Sequence, residues 1–267
     1  MFGTLIGIFL TSTGIFIAAD TVLWGSTAPN PTRGEKTCTP GERSVAVFEG
    51  WYGDGLYLFK HFHDMCQTMA RSQKSLSLEA QADMLIQKLR QTYRDHTGPL
   101  PSHTASLPPP SSKHIASIAV AGFDGPTPIV TVRELRWDKN RKGQWQLLAE
   151  RVGKQSFQGC GAKFIGEVGI AALLLDTSAH FEQEKHRPDV RAANRANTLS
   201  KEDDCISSSF SMEDAKGLYM IAIRMTIDHG KEFQIENGAV GGRLHMVTIP
   251  KTGPMAEESI DPEQYLK

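Results

Sequence analysis

No lysine or arginine precedes Arg33, so the apolar opening MFGTLIGIFLTSTGIFIAAD lacks the basic start of a secretory signal. The same stretch is interrupted by Thr11-Ser12-Thr13-Gly14, and no run in it approaches the roughly 20 apolar residues of a spanning helix. An excess of one charge is also missing. Lys and Arg number 29 against 30 Asp and Glu, a formal net charge of -1, which leaves no electrostatic footprint for nucleic acid or an anionic membrane surface. Cysteine is sparse: Cys38, Cys66, Cys160 and Cys205 are scattered without a CxxC pair, which reads as free thiols in a reducing cytoplasm. Histidines at metal-ligand spacing are wanting as well. His61 and His63 stand at i and i+2 of a helix and point apart, so no metal and no other cofactor is expected. The glycines of DGPTP and GAVGG read as turns and not as phosphate cradles.

What is present is a 267-residue chain with a hydrophobic fraction of 40%, enough for one sizeable core. Leu5–Leu10 and Ile15–Ala19 read as two buried strands joined by the polar turn. The competing reading of this start is a secreted protein cleaved near Ala19. A loop rich in Pro, Gly and Thr runs from Gly25 to Pro40, followed by a short apolar strand, Ser44–Phe48. Two amphipathic helices come next, one through Leu58, Phe62, Cys66 and Met69, the other through Leu78, Ala82, Leu85, Ile86, Leu89 and Tyr93. The breaker-rich stretch 98–113 reads as a linker between domains or, equally well, as an exposed loop within one domain. HIASIAVAGFD, PIVTVREL and WQLLAERV read as strands, and GCGAKFIGEVGIAALLL as a turn entering a buried helix. A polar insertion is expected over 176–209, then a helix capped by Ser211 and Asp214, the strand LHMVTIP and a polar tail, 251–267. Neither half carries a complete core, so the order predicts a single α+β domain.

Five segments, in order, resemble the proteasome subunits, within the N-terminal-nucleophile hydrolases. They are GTLIGIF…GIFIAAD, EKTCTPGERSVAVFEG, IASIAVAGFDGPTPIVTV, FQGCGAKFIGEV, and SMEDAKGLYMIAIRMTIDHG with VGGRLHMVTIPKTG. The resemblance spans nearly the whole chain and implies a four-layer αββα sandwich. It also implies a register: Thr4 as nucleophile after cleavage behind Gly3, Asp20 as the acidic partner, Lys36 as the lysine and Gly50 as the oxyanion donor. Asp228 would orient the α-amine, Cys160 stands where the family has a serine, and Phe48 stands at the base of the substrate pocket. Besides Cys160, further departures accompany the match, among them a hairpin turn one residue longer than the family's. Gly7 lies one residue closer to Thr4 than the family glycine does, and Lys231 replaces a serine beyond Asp228.

The chemistry fits these residue types. A threonine hydroxyl needs a nearby base, and an α-amine with a reference pKa of about 7.7–8.0 suits that task near pH 7. The expected function is therefore a threonine-type hydrolase of peptide or amide bonds, a cytoplasmic homo-oligomer with a peptide or protein substrate and no nucleic-acid or membrane partner. The alternative is an inactive member of the same fold with an assembly or binding role. Each residue also has a plainer reading: Thr4 as a strand-edge threonine, Asp20 and Lys36 as surface charges, Gly50 as a turn glycine and Cys160 as a small buried residue.

Overall fold

Thr11 shapes the first turn by donating its hydroxyl to the Gly14 carbonyl at 2.8 Å and accepting the Gly14 amide at 3.1 Å. The strands it joins are β1 (Leu5–Leu10) and β2 (Gly14–Asp20), paired antiparallel with Ile6 opposite Ala19 and Leu10 opposite Ile15. Every residue in both strands is buried. Gly14 is required by a close approach, because a Cβ there would lie 2.5 Å from the Ile249 carbonyl oxygen.

The computed structural model describes residues 5–23, 32–33, 35–50, 54–72, 76–97, 114–153, 156–159, 161–166, 210–232, 242–261 and 264. After the hairpin come β3 (Val22–Leu23), β4 (Thr32–Arg33), β5 (Thr37–Gly41) and β6 (Ser44–Gly50). Helices α1 (Asp54–Arg71) and α2 (Leu78–Thr97) precede β7 (His114–Asp124), β8 (Thr127–Lys139), β9 (Trp145–Arg151), β10 (Phe157–Gln158) and β11 (Gly161–Gly166). Helix α3 (Met212–Glu232), β12 (Leu244–Pro250) and β13 (Ala256–Ile260) complete the described order. One sheet has five strands in the order β11-β1-β2-β12-β13. The other has six, β10-β8-β7-β6-β5 with β9 also on β8, and β3 with β4 forms a small ladder.

Period-two alternation decides which face each residue takes. On β1, Ile6, Ile8 and Leu10 pack with Val45, Val47, Ala119, Ala121, Val130 and Val132 of the second sheet. Leu5 and Phe9 point the other way, onto Tyr219, Ala222 and Ile223 of α3. On the far side of the six-stranded sheet, Ala46, Ile118 and Val120 pack against Leu58 and Phe62 of α1 and Leu85 and Leu89 of α2.

The expected four-layer αββα sandwich is corrected by this arrangement. The described residues are a predominantly antiparallel β structure, thirteen strands against three helices, with two helices on one sheet and one on the other. Part of the reason lies in GAKFIG, expected to turn into a helix. It runs instead as β11 along β1, with Phe164 toward α3 and its neighbour Ile165 between the sheets. Residues 167–209, including most of that expected helix and the polar insertion, lie outside the described residues, as does the 98–113 loop.

Two smaller expectations are also corrected. The Gly25–Pro40 loop ends early, because TCTPG forms β5 on the edge of the six-stranded sheet, where a proline is tolerated. The tail is not wholly loose: AEESI pairs with β12 as β13, and Ile260 enters the α3-facing core. The Ser211 cap forms as its sequence suggests, with the Ser211 amide donating to Asp214 at 2.9 Å and the Asp214 amide donating to Ser211 Oγ at 3.2 Å.

Candidate active site

The end of the first hairpin carries a buried ion pair. Asp20 closes β2 at 0% exposure, and Lys36 enters β5 at 1%. Lys36 Nζ donates to Asp20 Oδ1 at 2.8 Å, and the Leu5 amide donates to the same oxygen at 2.8 Å. Lys36 is held from its backbone too, where its carbonyl accepts the Phe48 amide at 2.8 Å. Asp20 and Lys36, far apart in sequence, are thus brought together, and the surface-charge reading of both fails.

Burial pushes the Lys36 ammonium below its ordinary pKa, against the opposing attraction of Asp20 and, more weakly, Glu49. Leu5 is fixed at its other end as well. Its carbonyl accepts the Tyr219 hydroxyl at 2.8 Å, so both polar backbone groups of the residue after Thr4 have named partners. Thr4 and Gly3 themselves lie outside the described residues.

A second buried group adjoins the pair. Glu49, on β6 and 3% exposed, accepts His114 Nε2 on Oε2 at 2.8 Å, while His114 Nδ1 donates to Glu134 Oε1 at 2.7 Å. Burial opposes the charged ring, but the hydrogen bonds to Glu134 and Glu49 outweigh it and raise the His114 pKa to about 9. The His114 hydrogen bond in turn lowers the pKa of Glu134, against partial desolvation. At neutral pH His114 is an imidazolium with both nitrogens donating. Oε1 of Glu49 is buried with no hydrogen-bond partner among the described residues. Sequence reasoning missed this trio. The available signal was a charged residue inside otherwise apolar strands, Glu49 in SVAVFEG and Glu134 in TPIVTVREL.

The remaining expected site residues are spread out. Gly50 is the last residue of β6, opposite Ala116. Phe48 faces the helix pair, its ring 5.3 Å from Phe62 and 5.8 Å from Phe59, inside the apolar core beneath α1. Asp228 lies on the exposed side of α3, and Lys231 is in the last turn of the same helix. Cys160 lies outside the described residues.

The expectation of free thiols is corrected at two positions. Cys38 on β5 and Cys66 on α1 form a disulfide, with Cα atoms 6.3 Å apart. Their spacing of 28 residues carries no motif, so only the folding of α1 onto β5 reveals the pair. Among the described residues no group of three or more His, Cys, Asp or Glu has metal-binding geometry, and no helix is long and apolar enough to cross a membrane.

No protein-family model matches the sequence, and no curated protein matches it as a relative.

Proposed function

We propose that the chain is an N-terminal-nucleophile amidohydrolase, similar in chemistry to the proteasome subunits, that cleaves a peptide or other amide bond through an acyl-enzyme on Thr4. The observation that carries this reading is the Asp20–Lys36 pair, buried and bonded to the amide of the residue that follows Thr4. A buried ion pair is a weak stabiliser against an apolar pair of equal volume, so a chemical use is the better account of it.

Removal of Met1-Phe2-Gly3 gives Thr4 a free α-amine. The amine accepts the hydroxyl proton as Oγ attacks the substrate carbonyl, and Lys36, poised by burial to exchange a proton, supports the developing alkoxide. Asp20 orients Lys36, and the Gly50 amide is the donor assigned to the oxyanion, a contact worth roughly 2.7–4 kcal/mol where measured elsewhere. The amine product leaves with the proton, and water then hydrolyses the Thr4 ester. The Asp228 and Cys160 roles and a homo-oligomeric assembly belong to the same reading, whereas the expected pocket at Phe48 does not, because that ring is buried against Phe59 and Phe62. Its cytoplasmic setting loses one support with the Cys38–Cys66 bond, because such bonds persist mainly in oxidising compartments.

The test compares intact masses and amide turnover for the wild type and Thr4→Ala. Loss of Met1-Phe2-Gly3 and hydrolysis of short fluorogenic peptides in the wild type only is the expected result. A full-length mass and no turnover in both would overturn the catalytic reading and favour an inactive binding or assembly role.

A further inference from the structure

The disulfide opens onto a cavity. Cys38 and Cys66 line a space of about 240 Å³ together with His63, His245, Glu35 and Glu257, where β5 and α1 meet β12 and β13. Cys38 is partly exposed, whereas Cys66 is 1% exposed. Among the described lining residues there is no lysine or arginine, and the two formal charges are the exposed carboxyl groups of Glu35 and Glu257. The imidazoles are held at the wall: His63 Nε2 donates to the Glu35 carbonyl at 2.5 Å, and His245 Nδ1 lies 2.5 Å from Thr37 Oγ1.

We propose that the Cys38–Cys66 bond is a thiol-exchange site, fed by this cavity and selective for a small, positively charged aminothiol. The space suits a compact molecule of a few heavy atoms, and its carboxylates attract an ammonium and repel an anionic thiol. The thiolate of the incoming molecule attacks Cys38 Sγ, the more accessible sulfur. A bond forms between the two, the bond to Cys66 breaks, and the electron pair leaves on Cys66 Sγ, which takes a proton from water. A second aminothiol then attacks its own sulfur in the mixed disulfide, releasing the oxidised aminothiol and the Cys38 thiolate. Two electrons pass from two aminothiols to the protein disulfide. The exchange unfastens α1 from β5, the strand that Lys36 enters, and so loosens the edge beside the Asp20–Lys36 pair.

This inference stands apart from Thr4 chemistry and needs no enzymatic turnover to test. The oxidised full-length protein is mixed at low ionic strength with cysteamine, 2-mercaptoethanol or 2-mercaptoethanesulfonate, each at the same thiolate concentration. The reaction is stopped with acid and mapped by peptide mass. The expected result is a linked Cys38–Cys66 peptide before treatment and a mixed disulfide on Cys38 after it. Cysteamine should react at least about threefold faster than the sulfonate, as two nearby carboxylates in weakly screened water imply. Glu35→Gln combined with Glu257→Gln, both exposed, should abolish that preference, and in Cys66→Ser the free Cys38 thiol should take a single adduct from cystamine, the disulfide of cysteamine, with release of one cysteamine. Absence of the linked peptide, an adduct on Cys66, or equal rates for the three thiols would each overturn the proposal. If Cys66→Ser does not fold, the wild-type time course and the double glutamate variant still decide it.

Discussion

Tyr219 on α3 donates its hydroxyl to the Leu5 carbonyl at 2.8 Å, and its ring fills the space that Gly7 leaves by having no side chain. A Cβ at Gly7 would meet Tyr219 Cδ2 at 2.7 Å and Phe9 Cε2 at 2.8 Å. Gly7→Ala should therefore overpack the interface and destabilise the protein by about 1–3 kcal/mol. Tyr219→Phe, which keeps the ring and loses the donor, should cost about 1 kcal/mol. Urea unfolding of the two variants checks both, and a neutral Gly7→Ala would contradict the packing described.

The Asp20–Lys36 pair predicts a specific non-additivity. Lys36→Met leaves a buried carboxyl group without its cation and should cost about 3–5 kcal/mol. Adding Asp20→Asn removes that charge while keeping an acceptor for the Leu5 amide, so the double variant should regain part of the loss. Purely additive losses in the cycle would mean that the two side chains do not act as a unit.

His114 gives stability a pH dependence of known sign. Its pKa is raised from 6.5 to about 9 in the folded chain. The contribution is fully present below about pH 6.5 and is lost as pH rises through about 9, on the order of 3 kcal/mol at most. His114→Gln should lower the unfolding free energy at pH 6 and make little difference at pH 10. A variant equally destabilised at both pH values would show that charge on the ring plays no part.

Much of the scaffold was legible because periodicity reports which face is buried. β1, β2, β7 and β12 were readable from alternating or continuous apolar residues, and α1 and α2 from their apolar stripes. The misses have local causes. β5 carries Pro40 and Gly41, which read as loop, and β13 is AEESI, a polar edge strand with one buried residue. GAKFIG is too short for period two to be told from the start of a buried helix. For the candidate site, the pairing of Asp20 with Lys36 was suggested by the resemblance and is met by direct contact. The trio of Glu49, His114 and Glu134 was not legible, since its members lie on three strands that only sheet formation aligns. The disulfide was hidden for the same reason.

The two sheets also differ in how far along the chain their partners are drawn from. The six-stranded sheet is built from residues 37–158 without interruption. The five-stranded sheet pairs Leu5 with Gly166 and Asp20 with Leu244, so its first hairpin finds its last neighbour only after the whole six-stranded sheet has been passed in the sequence. The apolar hairpin therefore depends on the latest contacts of the fold for its cover, since long-range pairing is slow to form. In pulse-labelled refolding, the amides of β6, β7 and β8 should gain protection before those of β1, and the reverse order would refute this schedule.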